Sequence, residues 1–195
     1  MRTSRPITHT NRCGQTYFLR VGRKNGGGVQ YYFSRNRDGS LAESIPKGFE
    51  IYESVRGQVF LRREQPKLIQ DSEKALIKQE IEKKDSANLY KIEVSGKTLT
   101  IFECSSEIEK VLSFSPMFSV ATLAEKRELR ERFANYQAVL RFILSDSGHR
   151  IFTPERYCFR GSVDDWITIG PSESLEKIAA KYLQHLGLDS LYDFF

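Results

Sequence analysis

The chain has 195 residues, is 39% hydrophobic and 28% charged, and carries 30 basic against 25 acidic side chains, a net charge of +5. Those values suit a folded chain with a real core and exclude wholesale disorder. Cys13, Cys104 and Cys158 are few, odd in number and far apart, which argues against a disulfide framework and for a reducing compartment.

Charge is unevenly spread. Residues 1–67 hold thirteen basic and five acidic groups, and the first acidic residue is Asp38. Residues 68–195 hold seventeen basic and twenty acidic groups. A modest total therefore conceals a basic front segment, and such asymmetry points to an anionic partner. The basic start is followed by no apolar stretch, so no signal peptide is expected, and the run Val111 to Ala124 is too short for a bilayer helix. A cytoplasmic protein without membrane contact is the expectation.

Residues 1–14 lack periodicity and read as a flexible basic arm. Residues 16–21 and 29–34 are rich in β-formers and flank Gly22-Arg23-Lys24-Asn25-Gly26-Gly27-Gly28, which predicts a hairpin with a basic, glycine-rich tip. A second hairpin is expected from 49–54 and 58–63, turning at Arg56-Gly57, so that four strands form one small sheet. Together these define a basic β-rich module over 15–67, bounded by Arg63-Glu64-Gln65-Pro66-Lys67.

The rest, 68–195, is expected as an α+β core, with which 15–67 could form one continuous domain. Asp71 fits the N-cap of a helix to about Lys84, burying Leu76, Ile77 and Ile81. Strands at 89–94 and 98–103 meet at Ser95-Gly96-Lys97, and a short helix is expected near 106–113. Thr122-Leu123-Ala124-Glu125 has capping-box spacing and opens a helix predicted to run to about Tyr136. Strands at 137–145, 150–158 and 163–169 follow, the last holding Trp166. A final helix over 173–186 has a broad apolar face, with Gly187 placed as its cap. The predicted class is α+β: antiparallel sheets built from hairpins with three to four helices, and a small basic β-rich N-terminal module packed on a larger α+β core.

The chemistry most legible here is binding. Arg12, Arg20, Arg23, Lys24, Arg35 and Arg37 can neutralise phosphates, and Tyr31 and Tyr32 can stack on bases. The expected function is a non-enzymatic nucleic-acid-binding protein acting through this hairpin, DNA or RNA left open. The plain alternative is a surface sheet whose aromatics are core. A different class of function, an interaction or scaffold module for an acidic protein, uses the same basic face.

Catalytic sets are weaker. His149, Arg150, Glu155, Arg156, Arg160, Asp164 and Asp165 gather around predicted strand ends, as a metal-dependent phosphodiesterase would require. Yet Asp164 and Asp165 are adjacent, so on a strand they point to opposite faces, and an ion-pair lattice is the simpler reading. Gly26-Gly27-Gly28 leads into a strand rather than a helix, unlike a Walker loop. His9, Cys13, Cys104, Cys158, His149 and His185 lack paired-ligand spacing, so no metal or cofactor is called for. The two terminal phenylalanines, Phe194 and Phe195, are expected to be buried in the chain's own core or in a partner.

Overall fold

The structure is a computed structural model that describes residues 5–105, 122, 125, 134–160 and 163–194. They divide into two compact units. The N-terminal unit comprises residues 5–64 with Thr122, Glu125 and Ala134, and the C-terminal unit residues 65–105 and 135–194.

The N-terminal unit holds five strands: β1 (Thr8–Thr10), β2 (Thr16–Arg23), β3 (Val29–Ser34), β4 (Phe49–Glu53) and β5 (Val59–Arg63). The first three form an antiparallel sheet in the order β1-β2-β3, and β4 pairs with β5 alone. The single four-stranded sheet expected from the sequence is thus two sheets, the first extended by β1 from within the expected arm. Its core is small: Leu19, Ala42, Val55 and Val59 are buried. Polar clamps reinforce it. Asn11 is buried, and its side-chain amide donates to the carbonyl of Gly57 at 2.5 Å while its carbonyl oxygen accepts from the Gln15 N–H at 2.8 Å. A side chain at Gly57 would be strained, because its φ is +76° and an added Cβ would meet Cys13 Sγ at 3.0 Å.

The C-terminal unit is built on one antiparallel sheet: β6 (Tyr90–Ser95), β7 (Thr98–Cys104), β8 (Tyr136–Asp146), β9 (Ile151–Arg160), β10 (Val163–Thr168) and the two-residue β11 (Glu173–Ser174). Their order is β10-β9-β8-β7-β6, with β11 also on β9. Alternation places Leu99, Ile101, Leu140, Phe142, Leu144 and Phe152 in the core. They share it with Ile77 and Ile81 of α1 (Asp71–Glu82) and Leu175, Ile178, Ala179 and Tyr182 of α2 (Leu175–Tyr182). Tyr182 donates its phenol to the Ile169 carbonyl at 3.0 Å and lies against Gly170, leaving no room for a side chain.

Helix α1 starts one residue away from expectation. Gln70 rather than Asp71 is the N-cap, its N–H donating to Glu73 Oε2 at 2.7 Å, and Asp71 sits in the first turn, where a carboxylate suits the helix dipole. Gly187 has φ +78°, and a Cβ there would lie 2.6 Å from the Tyr90 hydroxyl. At the C-terminus the Phe194 ring meets Tyr182 and His185 edge-on, at 5.1 Å and 4.9 Å between centroids.

The expected α+β core of three to four helices is corrected. Among the described residues strands make up 42% and helical residues 20%, with two α-helices and three sheets. The helix predicted over 173–186 shrinks to the eight residues of α2. Its first two residues pair with β9 as β11, and Leu183–His185 tighten into a 3-10 turn. Tyr136, expected to close a helix, opens β8 and is buried. The helix expected at 106–113 and nearly all of the one from 122 lie outside the described residues. Thr122 and Glu125 do make reciprocal capping bonds, Thr122 N–H to Glu125 Oε2 at 2.7 Å and Glu125 N–H to Thr122 Oγ1 at 3.3 Å. Among the described residues, no helix is long and apolar enough to cross a membrane.

Candidate nucleic-acid interface

The hairpin of β2 and β3 pairs Phe18 with Ser34, Leu19 with Phe33, Arg20 with Tyr32, Val21 with Tyr31, Gly22 with Gln30 and Arg23 with Val29. Directly paired residues share a face, so Leu19, Phe33, Val21 and Tyr31 lie on one side, Arg20, Tyr32 and Gly22 on the other. Only Leu19 is fully buried. Towards the tip the hairpin outruns its core: Val29 is 60% exposed, and Tyr31 and Tyr32 are each 38% exposed. Both faces therefore present a ring.

Tyr32 is held flat by small and flat neighbours. Its ring edge lies against Gly22, where a Cβ would come within 3.1 Å of Tyr32 Cε1. Across the strand, the Arg20 guanidinium carbon sits 5.7 Å from the ring centroid, a cation–π contact. The far end of Arg20 abuts Gly39, whose φ of +98° turns the 35–39 loop back over it. Arg20 Nε is buried there with no hydrogen-bond partner among the described residues. Arg20 is therefore a half-buried brace for Tyr32 and the loop.

Arg12 is also committed. Its Nη2 donates to the Ser54 carbonyl at 2.8 Å and its backbone N–H to Glu53 Oε1 at 3.0 Å, while His9 takes Glu53 Oε2 at 2.9 Å. Glu50 is matched by Arg62 at 2.8 Å. Arg23 and Lys24 at the tip, and Arg35 and Arg37 beyond β3, are exposed and make no ion pair among the described residues. Lys24 accepts from Gly27 N–H and donates to the Gly28 carbonyl through its backbone, so the tip turn closes without using the ammonium group. In the loop, the Asn36 side chain accepts from Asp38 N–H, which fixes the backbone between Arg35 and Arg37.

The six residues of β3 span roughly 20 Å, so two cationic ends bracket two exposed rings. Of the eight sequence-predicted residues, the structure leaves Arg23, Lys24, Tyr31, Tyr32, Arg35 and Arg37 on the surface, ties the exposed Arg12 to Ser54 and Glu53, and half-buries Arg20 as a support. Sequence reasoning missed a second aromatic-basic surface on β4 and β5. Phe60 is 46% exposed and stacks on Tyr52 at 6.3 Å, and Arg62 lies 4.0 Å over the Tyr52 ring. Its signal was the cross-turn spacing of Tyr52 and Phe60 about Arg56-Gly57.

The residues considered for metal chemistry are not brought together. Glu155 accepts from Arg141 Nε at 2.7 Å, and Glu73 receives Arg150 through Nε at 2.8 Å. Arg156 is buried and donates to the carbonyls of Phe194 and Tyr192 at 3.2 and 3.3 Å. His149 pairs with Asp146 at 2.9 Å on the exposed β8–β9 turn. This bond raises the imidazole pKa, and together with the His149 backbone N–H lowers that of Asp146. Asp164 accepts from the Tyr157 hydroxyl, which raises the phenol's pKa, while Asp165 on the opposite face accepts from the Trp166 N–H at 2.7 Å. Among the described residues no three His, Cys, Asp or Glu side chains group as metal ligands.

No protein-family model, curated protein or solved structure matches this chain.

Proposed function

We propose that the protein binds single-stranded nucleic acid with the β2–β3 hairpin of its N-terminal unit. Arg23 and Lys24 at one end and Arg35 and Arg37 at the other contact phosphates, and Tyr31 and Tyr32 between them stack on bases. The observation that carries this reading is selective compensation. The unit's Glu50 and Glu53 are each matched by a basic side chain, yet the four cations flanking the exposed rings have no acidic partner among the described residues. Unneutralised cations at spaced positions favour a polyanion, and rings set between them favour bases. The bracing of Tyr32 by Arg20 and Gly22 lowers the entropy cost of holding a stacking platform. The three cysteines are free, which accords with a reducing compartment, and the cytoplasm is the proposed location.

The test is fluorescence anisotropy of labelled single-stranded and duplex DNA and RNA, titrated with the protein across a salt series. Binding that is tighter for single strands and weakens by roughly 0.7 log units per phosphate contact for each decade of salt supports the proposal. Absence of binding at low salt refutes it. Salt-dependent binding indifferent to loss of the Tyr32 ring would transfer the cationic face to an acidic protein partner.

A further inference from the structure

The large sheet of the C-terminal unit is split along part of its length. β8 and β9 pair from Ile151 to the pair Leu140–Arg156 and no further, although both strands continue. Beyond that pair, residues 136–138 of β8 follow β7, with Tyr136 opposite Cys104 and Ala138 opposite Phe102. Residues 157–160 of β9 instead follow β10, with Tyr157 opposite Trp166 and Arg160 opposite Val163. The divergence has a local cause. The β7–β8 register jumps from Ile101–Leu140 to Phe102–Ala138, which leaves Val139 as an extra residue in β8. Such a bulge bends its strand and raises the twist, and bulges recur where a sheet opens to a ligand.

The opening is a cleft of about 400 Å³, walled by residues 137–139 and residues 157–159, with the buried Arg156 at its base and Tyr192 also in its lining. That volume falls within the range of small binding sites, about 300–1,000 Å³. One wall offers backbone hydrogen bonds. The Pro154 carbonyl accepts from Ile169 N–H on the β10 side. In an antiparallel strand the backbone groups of successive residues point to alternate sides. Those of Tyr157 and Phe159 therefore point away from β10 into the cleft. The rim is apolar: Phe159 is 84% exposed and Tyr192 50%. Carboxylates flank both walls, Glu103 opposite Gln137 on β7 and Asp164 and Asp165 opposite Phe159 and Cys158 on β10. Arg156, the cation at the base, is engaged by the carbonyls of Phe194 and Tyr192.

We infer that this cleft receives an extended segment of a partner polypeptide, about three apolar residues flanked by basic ones, which pairs as an added strand with Tyr157 and Phe159 of β9. Among the described residues no strand pairs with Tyr157 and Phe159 on this side, and N–H and C=O groups so placed supply affinity for a backbone, as in other strand additions. Phe159 and Tyr192 cover the apolar side chains, and the acidic flanks select basic neighbours. The site lies wholly in the C-terminal unit and does not depend on the hairpin's reading.

The test uses the whole protein and a pool of capped pentapeptides, lysine at both ends and Val, Ile, Phe or Tyr at the three central positions. Cys158, half-buried in the cleft wall, reports occupancy through its rate of alkylation, read by mass spectrometry. The expected result is slower alkylation at Cys158, with Cys13 unchanged, and anisotropy binding of the best peptide that falls at least tenfold when its central amide is N-methylated. Phe159→Ala, at a side chain too exposed to affect folding, should weaken the same peptide several-fold. The inference is overturned if no pool member protects Cys158, if N-methylation has no effect, or if Phe159→Ala binds as tightly as the parent.

Discussion

The two units treat charge and aromatic surface differently. In the C-terminal unit, Arg141, Arg150 and Arg156 are tied down. Arg141 is bonded to Glu155 and lies 4.2 Å over the Trp166 ring, Arg150 grips Glu73, and Arg156 is buried against backbone carbonyls. In the N-terminal unit Arg12, Arg20 and Arg62 are used in the same way. Arg23, Lys24, Arg35 and Arg37 stand outside any ion pair among the described residues, beside tyrosines that a core would have buried. Paired charge stabilises a fold. Unpaired charge of one sign beside exposed rings costs some stability through repulsion, and is better accounted for by a partner.

Substitutions can break this contrast. The largest effect is expected from Arg23→Ala, Lys24→Ala, Arg35→Ala and Arg37→Ala together. On single strands the slope of log affinity against log salt should fall by roughly 2.8 for four lost phosphate contacts, with affinity down by orders of magnitude and the thermal midpoint unchanged or raised. Arg141→Ala in the other unit should do the reverse, lowering the midpoint and leaving the salt slope intact. Equal slopes in the two variants would erase the distinction.

Next comes Glu73→Ala. Glu73 accepts from Gln70 N–H at the start of α1 and from Arg150, which has φ +54° in the β8–β9 turn. One carboxylate thus caps a helix and anchors a left-handed arginine. Its loss should cost about 2–4 kcal/mol in denaturant unfolding, with nucleic-acid binding by the folded protein unaffected.

Tyr32→Ala sharpens the comparison from the other side. It should weaken single-strand binding by about 1–3 kcal/mol with little change in salt slope, since a ring contributes stacking and no counterion release. Phe33→Ala, by contrast, removes the half-buried partner of Leu19 and should act mainly on stability, read by thermal unfolding.

The smallest effect expected is from pH at the exposed His149–Asp146 pair. The imidazole's pKa is raised, so its contribution is present below the ordinary histidine pKa and lost as pH rises through the raised value. The carboxyl's pKa is lowered, so its contribution is present above the ordinary aspartate pKa and lost as pH falls through the depressed value. The turn is therefore most stable from about pH 4 to 6.5. His149→Gln should flatten the alkaline limb of that profile in a titration followed by NMR and leave hairpin binding untouched.

Local rules determined much of this molecule. Alternating side chains and turn glycines specified the strands near 16–23, 29–34, 90–95 and 98–104, because hairpin contacts lie close in sequence. Composition alone marked the basic tip and its tyrosines. Partnerships between distant residues belonged to tertiary structure. Nothing local to Arg12 or Arg20 says that the first is held by Ser54 and the second wedged between Tyr32 and Gly39. A helical apolar period over 173–186 could not reveal that Glu173 and Ser174 would pair with β9. The split between β8 and β9 was equally hidden, since it depends on a one-residue register jump between β7 and β8. A strand's pattern fixes which way its side chains point, but which neighbour it follows is decided by competition among distant pairings.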